Sequence, residues 1–193
     1  MLASRASEVD RFVPSYGGSV LEVGNVALPE QIGLVVDAFD RNAEVNRAVL
    51  ATLDTSMLLH GDGMGGYNIG QHLADVVSFR REKLEAVSPE HAERVPDVID
   101  GDAPTWLAVA SIDELQAAFD AGDAAMRDAV VAATVEGRRF EGLYESHPAH
   151  LLVHCIVHDA HHRGQIMALL RQGGRSAEER ERLEDATWPI WRA

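Results

Sequence analysis

The chain has 193 residues, enough for one domain with a sizeable core, and its 46% hydrophobic against 25% charged content is that of an ordinary globular protein. Its formal charge of −14, from 17 Lys+Arg against 31 Asp+Glu with no basic cluster, argues against nucleic acid or an anionic membrane as partner. No run of about 18 apolar residues is present to span a bilayer, Met1 to Asp10 does not read as a secretory signal, and the single cysteine, Cys155, forms no intrachain disulfide; this is the pattern expected of a cytoplasmic protein.

Residues 1–27 read as an irregular N-terminal segment. Pro14, Gly17, Gly18 and Gly24 interrupt any long element, and Val20 to Val23 is a short extended piece at most. Pro29 suits the first turn of a helix. Ile32, Val36, Phe39, Ala43, Leu50 and Leu53 follow in steps suited to one helical face, with Val35 and Val49 widening the stripe. They predict an amphipathic helix of roughly 25 residues, ended by the glycines of Gly61 to Gly66. That glycine run lacks a Gly-Lys-Ser/Thr ending and follows a helix, so it is no phosphate loop.

Asn68 and Gln71 form a capping-box pattern that opens a second helix, whose apolar face is Ile69, Leu73, Val76, Val77, Leu84 and Val87. The stretch from Ser88 to Ala110, with Pro89, Pro96 and Pro104, reads as a long connection with one short helical turn at most. Ser111 and Glu114 repeat the capping box. Ile112, Leu115, Phe119, Met126 and Val130 give the face of a third helix. Ser146 is expected to cap a fourth, with Pro148 in its first turn and Gly173-Gly174 at its end. Ser176 with Glu179 opens a short charged helix carrying Trp188 and Trp191, which are expected to pack on the body or on a second chain. The fold class is therefore all-α: a four-helix bundle over residues 28–175 with a long crossover connection, and a C-terminal helical tail over residues 176–193.

Six of the nine histidines fall on the fourth helix, at 147, 150, 154, 158, 161 and 162. Imidazole is a common ligand of divalent transition metals, and positions i and i+4 share a helix face. With about 100° per residue and His154 at zero, the apolar arc of this helix spans about 60° to 200°. His162 falls inside it at about 80° and His158 at its edge at about 40°, whereas His147, His150, His154 and His161 lie on the polar edge. A buried imidazole needs a partner; a metal is one, and a hydrogen-bonded neighbour in the core is the other. His72 lies within the apolar arc of the second helix. Three neutral imidazoles from two helices, His72, His158 and His162, with coordination positions left open, have the layout of a catalytic metal site. His154 and His158 are also four apart, which makes His154 the alternative to His162.

Other residues qualify less strongly. Cys155 reads as apolar filler rather than a ligand. Asp159 and Arg163 lie four apart on the interior side, placed to pair with each other; alternatively, Asp159 orients a ligand imidazole. Asn46 reads as a hydrogen-bonding core residue, and His60 and His91 as solvated loop residues. No serine sits in a Gly-x-Ser-x-Gly turn.

The string His158-Asp-Ala-His-His162-Arg163-Gly164-Gln165, with the helix Ile69-Gly-Gln-His72-Leu-Ala, resembles the DinB-like (DNA-damage-inducible) metal-binding superfamily. The resemblance spans roughly residues 30 to 172 and implies a four-helix bundle with a long crossover, dimers, and a divalent metal held by three histidines, which map onto His72, His158 and His162. Characterised relatives include S-transferases and isomerases that use mycothiol, bacillithiol or glutathione; others have no known activity. The irregular N-terminal segment and the extra histidines at 147, 150, 154 and 161 depart from the pattern.

The expected function is that of a divalent-metal-dependent enzyme, a thiol S-transferase or related hydrolase. Its ion is expected to be zinc or nickel, its cofactor a low-molecular-weight thiol, its substrate a small molecule, and its assembly a homodimer. Arg163 and Gln165 are the candidate substrate contacts. The alternatives are a non-catalytic metal-binding stress protein and a metal-free interaction bundle.

Overall fold

The computed structural model describes residues 19–23, 25–101, 107–108 and 111–193. Most of the irregular N-terminal segment, including Pro14, Gly17 and Gly18, lies outside the described residues, as do Gly24 and Pro104. A hairpin comes first: β1 (Val20–Val23) pairs antiparallel with β2 (Val26–Pro29), Val20 opposite Pro29 and Val23 opposite Val26. No paired strand was expected here. The hairpin is held by packing: Leu28 is fully buried, and Leu21 approaches Gly33 so closely that a Cβ there would lie 2.7 Å from the Leu21 Cβ.

Helix α1 (Glu30–Leu50) follows directly. It is shorter than the sequence predicts. The chain leaves it at Ala51, and Asp54 accepts a hydrogen bond from the Ser56 N–H to start a 3-10 turn over Thr55–Leu59, well before the glycines. Helix α2 (Ile69–Val87) starts where Asn68 and Gln71 close a full capping box. Among its described residues, the Ser88–Ala110 connection contains a short helix, α3 (Pro89–Ala92), and one small antiparallel pair, β3 (Ile99–Asp100) with β4 (Leu107–Ala108). Ser111 and Glu114 cap α4 (Ile112–Val135) in the same manner.

Helix α5 (Ala149–Gln172) begins after Pro148, not at Ser146. The Ser146 hydroxyl is engaged by His150 Nδ1 at 2.8 Å and caps nothing. The final helix, α6 (Ala177–Arg192), opens on the Ser176–Glu179 box. No helix among the described residues is long and apolar enough to cross a membrane.

Helix α1 lies against α4 and α5, and α2 lies against the same two, so α1 and α2 hold opposite corners of the bundle. The Ala51–Asn68 stretch makes the crossing between them. Phe39, Ile69, Leu84, Phe119, Met126 and Leu151 belong to one hydrophobic core that runs the length of the bundle, each essentially inaccessible. Burial of a large apolar side chain contributes about 1.5–3 kcal/mol relative to exposure. Helix α6 stands outside the four and packs along α1. The adjacency of α2 and α5 positions the site.

Candidate metal centre

On α2, His72 and Asp75 are three residues apart and share a face; on α5, His158 and His162 are four apart and do the same. The two faces meet. His162 Nδ1 lies 3.0 Å from His72 Nδ1. Its other nitrogen, Nε2, lies 3.3 Å from His158 Nε2 and 3.1 Å from Asp75 Oδ2. One donor atom from each of Asp75, His158 and His162 falls within 4.8 Å of the other two. His162 is thus the hub: one ring nitrogen faces His158 and Asp75, the other faces His72.

Aromatic rings wall the cluster. Phe79, two turns along α2 from His72, stacks on His158 with centroids 4.0 Å apart and an interplanar angle of 18°. Tyr67 meets His72 edge-on at 5.5 Å. Burial, reinforced by neighbouring His162, pulls both His72 and His158 down to about 4, so both imidazoles are neutral at physiological pH. Burial disfavours the Asp75 charge, but the His162 hydrogen bond and the surrounding imidazoles outweigh it and hold the carboxyl below its ordinary range.

This donor set fits a divalent transition ion. Neutral imidazoles and an ionised carboxylate are the protonation states that ligation requires. His158 Nδ1 is also buried with no hydrogen-bond partner among the described residues, a polar atom in want of one.

A sequence model of the DinB family matches residues 29–192. The chain belongs to the DinB family. No curated protein and no solved structure is matched.

The remaining histidines of this DinB-family protein sit apart from the cluster or at its rim. His154, the alternative to His162, is exposed; its Nδ1 pairs with the Tyr144 hydroxyl at 2.8 Å and its ring stands edge-on to Phe79. His147 Nδ1 accepts from the Ala149 N–H, and His161 stands edge-on to His162. His91 contacts the Ser88 hydroxyl at 2.8 Å. The reading of His60 as solvated needs correction: its Nε2 is buried and unpartnered, packed over Gly173. Cys155 is fully buried, and burial drives its thiol far above the usual range, so it is apolar filler.

Asp159 and Arg163 do not pair with each other. Asp159 takes both terminal nitrogens of Arg80, at 3.1 and 2.8 Å, and the side-chain amides of Asn42 and Asn46, at 2.6 and 2.8 Å. The oxygens of those two amides accept from Arg163 Nη1, at 2.8 and 2.6 Å. Two asparagines therefore stand between the charges. Arg80 also binds Asp123 of α4 through Nε at 2.7 Å, so the network joins all four bundle helices. Burial opposes the Asp159 charge, yet Arg80 and the two amides prevail and hold its carboxyl below the ordinary value. For Asp123, burial prevails over Arg80 and its carboxyl is raised.

Asn42, Asp75, Arg80 and Asp123 of this DinB-family protein escaped the sequence reading. Asp75 is one turn from His72, and a His-x-x-Asp spacing was the signal available. Arg80 lies about 80° from His72 on the helical wheel, inside the apolar arc, where an arginine demands a partner. Asp123 interrupts the stripe between Phe119 and Met126 in the same way. Gln165 is exposed one turn past His161, with no side-chain hydrogen bond among the described residues.

Proposed function

We propose that this DinB-family protein is a divalent-metal-dependent enzyme, a thiol S-transferase or related hydrolase acting on a small molecule. The observation that carries the reading is the meeting of Asp75, His158 and His162 at one point from two helices, with His72 on the second nitrogen of His162. Asp75, His158 and His162 would hold the ion, and His72 would complete or orient the set. Zinc or nickel suits imidazole donors. Such an ion, when bound, lowers the pKa of a coordinated thiol or water toward neutrality.

The protein's own groups have defined tasks in this scheme. Burial keeps His72 and His158 unprotonated, which leaves their lone pairs free for ligation at neutral pH. Phe79 covers one face of His158 and fixes its ring plane. The charge on Asp75 offsets part of the cation's charge. Gln165, past His161 on the exposed side of α5, is the proposed substrate contact. Arg163, the other candidate, is turned toward Asn42 and Asn46 of α1. The expected setting is a cytoplasmic homodimer supplied with a low-molecular-weight thiol.

The test uses untagged protein. Elemental analysis and metal titration should find about one tightly held divalent ion per chain. A screen of thiols with an electrophilic acceptor should show consumption that stops on chelation, returns with metal and is absent in His158→Ala. Full activity after complete chelation overturns the mechanism. One tight ion with no turnover of any thiol and acceptor leaves the non-catalytic metal-binding stress protein.

A further inference from the structure

Helix α6 does not close flush against the bundle. Between it and helices α1 and α5 lies a cavity of about 420 Å³, within the roughly 300–1,000 Å³ typical of small-molecule sites. From α5 it takes Arg163, Gly164, Met167 and Arg171. At about 100° per residue Gly164, Met167 and Arg171 face away from His158 and His162, and Arg163 stands at the boundary between the two sides. No residue of the candidate metal centre lines it.

The wall has an apolar part and a cationic part. Leu183, Trp188 and Trp191 of α6 face Val45 and Val49 of α1. Trp188 and Trp191 are left 55% and 38% exposed, a large aromatic surface that gains by being covered. Arg163, Arg171 and Arg180 supply three guanidiniums against one carboxylate, Glu184. That concentration of positive charge stands out in a chain of net charge −14. None of the three arginines forms an ion pair among the described residues. Their protein partners are neutral: Arg163 Nη1 donates to two amide oxygens, and Arg180 Nη1 to the Arg175 carbonyl at 2.9 Å. Guanidinium donors match a carboxylate in a planar fork, and partial exclusion from water strengthens the pairing.

We propose that this cavity binds a small organic carboxylate with a flat apolar body, its head on Arg163, Arg171 and Arg180 and its body against Trp188 and Trp191. The site is independent of the metal reading, since none of its residues is a candidate ligand. Arg163 couples it to the interior, because the amides that accept from Arg163 also donate to Asp159.

Calorimetric titration of the full chain tests this, with 2-naphthoate, its uncharged isostere 2-naphthamide and inorganic phosphate as probes. The naphthoate should saturate one site per chain, at least tenfold tighter than either other probe, equally in metal-loaded and chelated protein. Added salt should weaken the naphthoate and leave the naphthamide unchanged. The double substitution Arg171→Gln/Arg180→Gln should reduce naphthoate affinity at least tenfold without moving the melting temperature, and Trp188→Ala should weaken both aromatic probes. Equal binding of acid and amide, or phosphate binding as tight as naphthoate, overturns the proposal. So does the absence of saturable binding in the unsubstituted protein, a result that leaves the metal centre untouched.

Discussion

Arg80 Nη2 stands 2.8 Å from Asp159 Oδ2, and both side chains are fully buried. Each partner adjoins the histidine cluster along its own helix: Asp159 follows His158, and Arg80 follows Phe79, whose ring stacks on His158. The ion pair therefore fixes the register of α2 against α5 at the level where the donor atoms meet.

Breaking that pair should be costly. Arg80→Met leaves Asp159 and Asp123 buried without their counter-charge, and loss of one partner of a buried pair costs about 3–5 kcal/mol. Urea unfolding of metal-free protein should show a loss of this size. A change below about 1 kcal/mol would mean that the carboxylates relax to solvent or take up protons at little expense.

The arginine's cavity is also tight from the opposite side. A Cβ at Gly122 on α4 would lie 2.8 Å from Arg80 Cδ. That methylene cannot retreat, because its guanidinium is held at both ends by Asp123 and Asp159. Gly122→Ala should destabilise by about 1–3 kcal/mol through overpacking, even though alanine is the better helix former. In a double-mutant cycle with Arg80→Met the two losses should be less than additive; strict additivity would deny the contact.

Metal affinity should rank the donors. His162 touches every other member of the cluster, so His162→Ala should abolish stoichiometric binding with little change in the melting temperature of the metal-free protein. Asp75→Asn and His72→Ala separate the two possible third donors. A residue that only orients a ligand costs about 10–100-fold in affinity when removed, and a direct ligand costs more. Competition against a chromogenic chelator measures all three, and retention of one ion by His162→Ala would remove the site.

Acid should weaken the metal-free fold. His72 and His158 titrate near 4 in the native state against 6.5 for the free side chain. Between those values the unfolded chain binds protons that the folded one does not, so stability is full above the upper value and falls as pH drops toward the lower. Thermal melts of chelated protein across this window should show the decline, and His72→Gln/His158→Gln should flatten it. An unchanged slope in that double variant would assign the effect to other groups.

Three helix starts were legible because they depend on short-range interactions, whereas the start of α5 was misplaced at Ser146. Asn68 with Gln71, Ser111 with Glu114 and Ser176 with Glu179 each bond side chain to backbone across three residues, and each opens a helix where the pattern places it. The α1 terminus at Leu50 was not legible. The apolar stripe continues to buried Leu53 and Leu58, but in a turn and a 3-10 segment that keep those side chains inward without a helix. The β1–β2 hairpin is held by contacts of Leu21 with Gly33 and by burial of Leu28, neither of which shows in strands of four residues.

The same division runs through the site. Sequence alone determined that His158 and His162 share one face of a helix and that His72 faces a core, since both follow from 3.6 residues per turn. Only the tertiary structure decided that Asp75 joins them, that Asp159 turns to Arg80 instead of Arg163, and that Asn42 and Asn46 stand between the charges. Periodicity is a property of one helix and is written within a few residues. Which face meets which depends on burying every stripe at once, and site partners such as Asn42 and Arg163, 121 residues apart, are chosen only when the whole bundle packs.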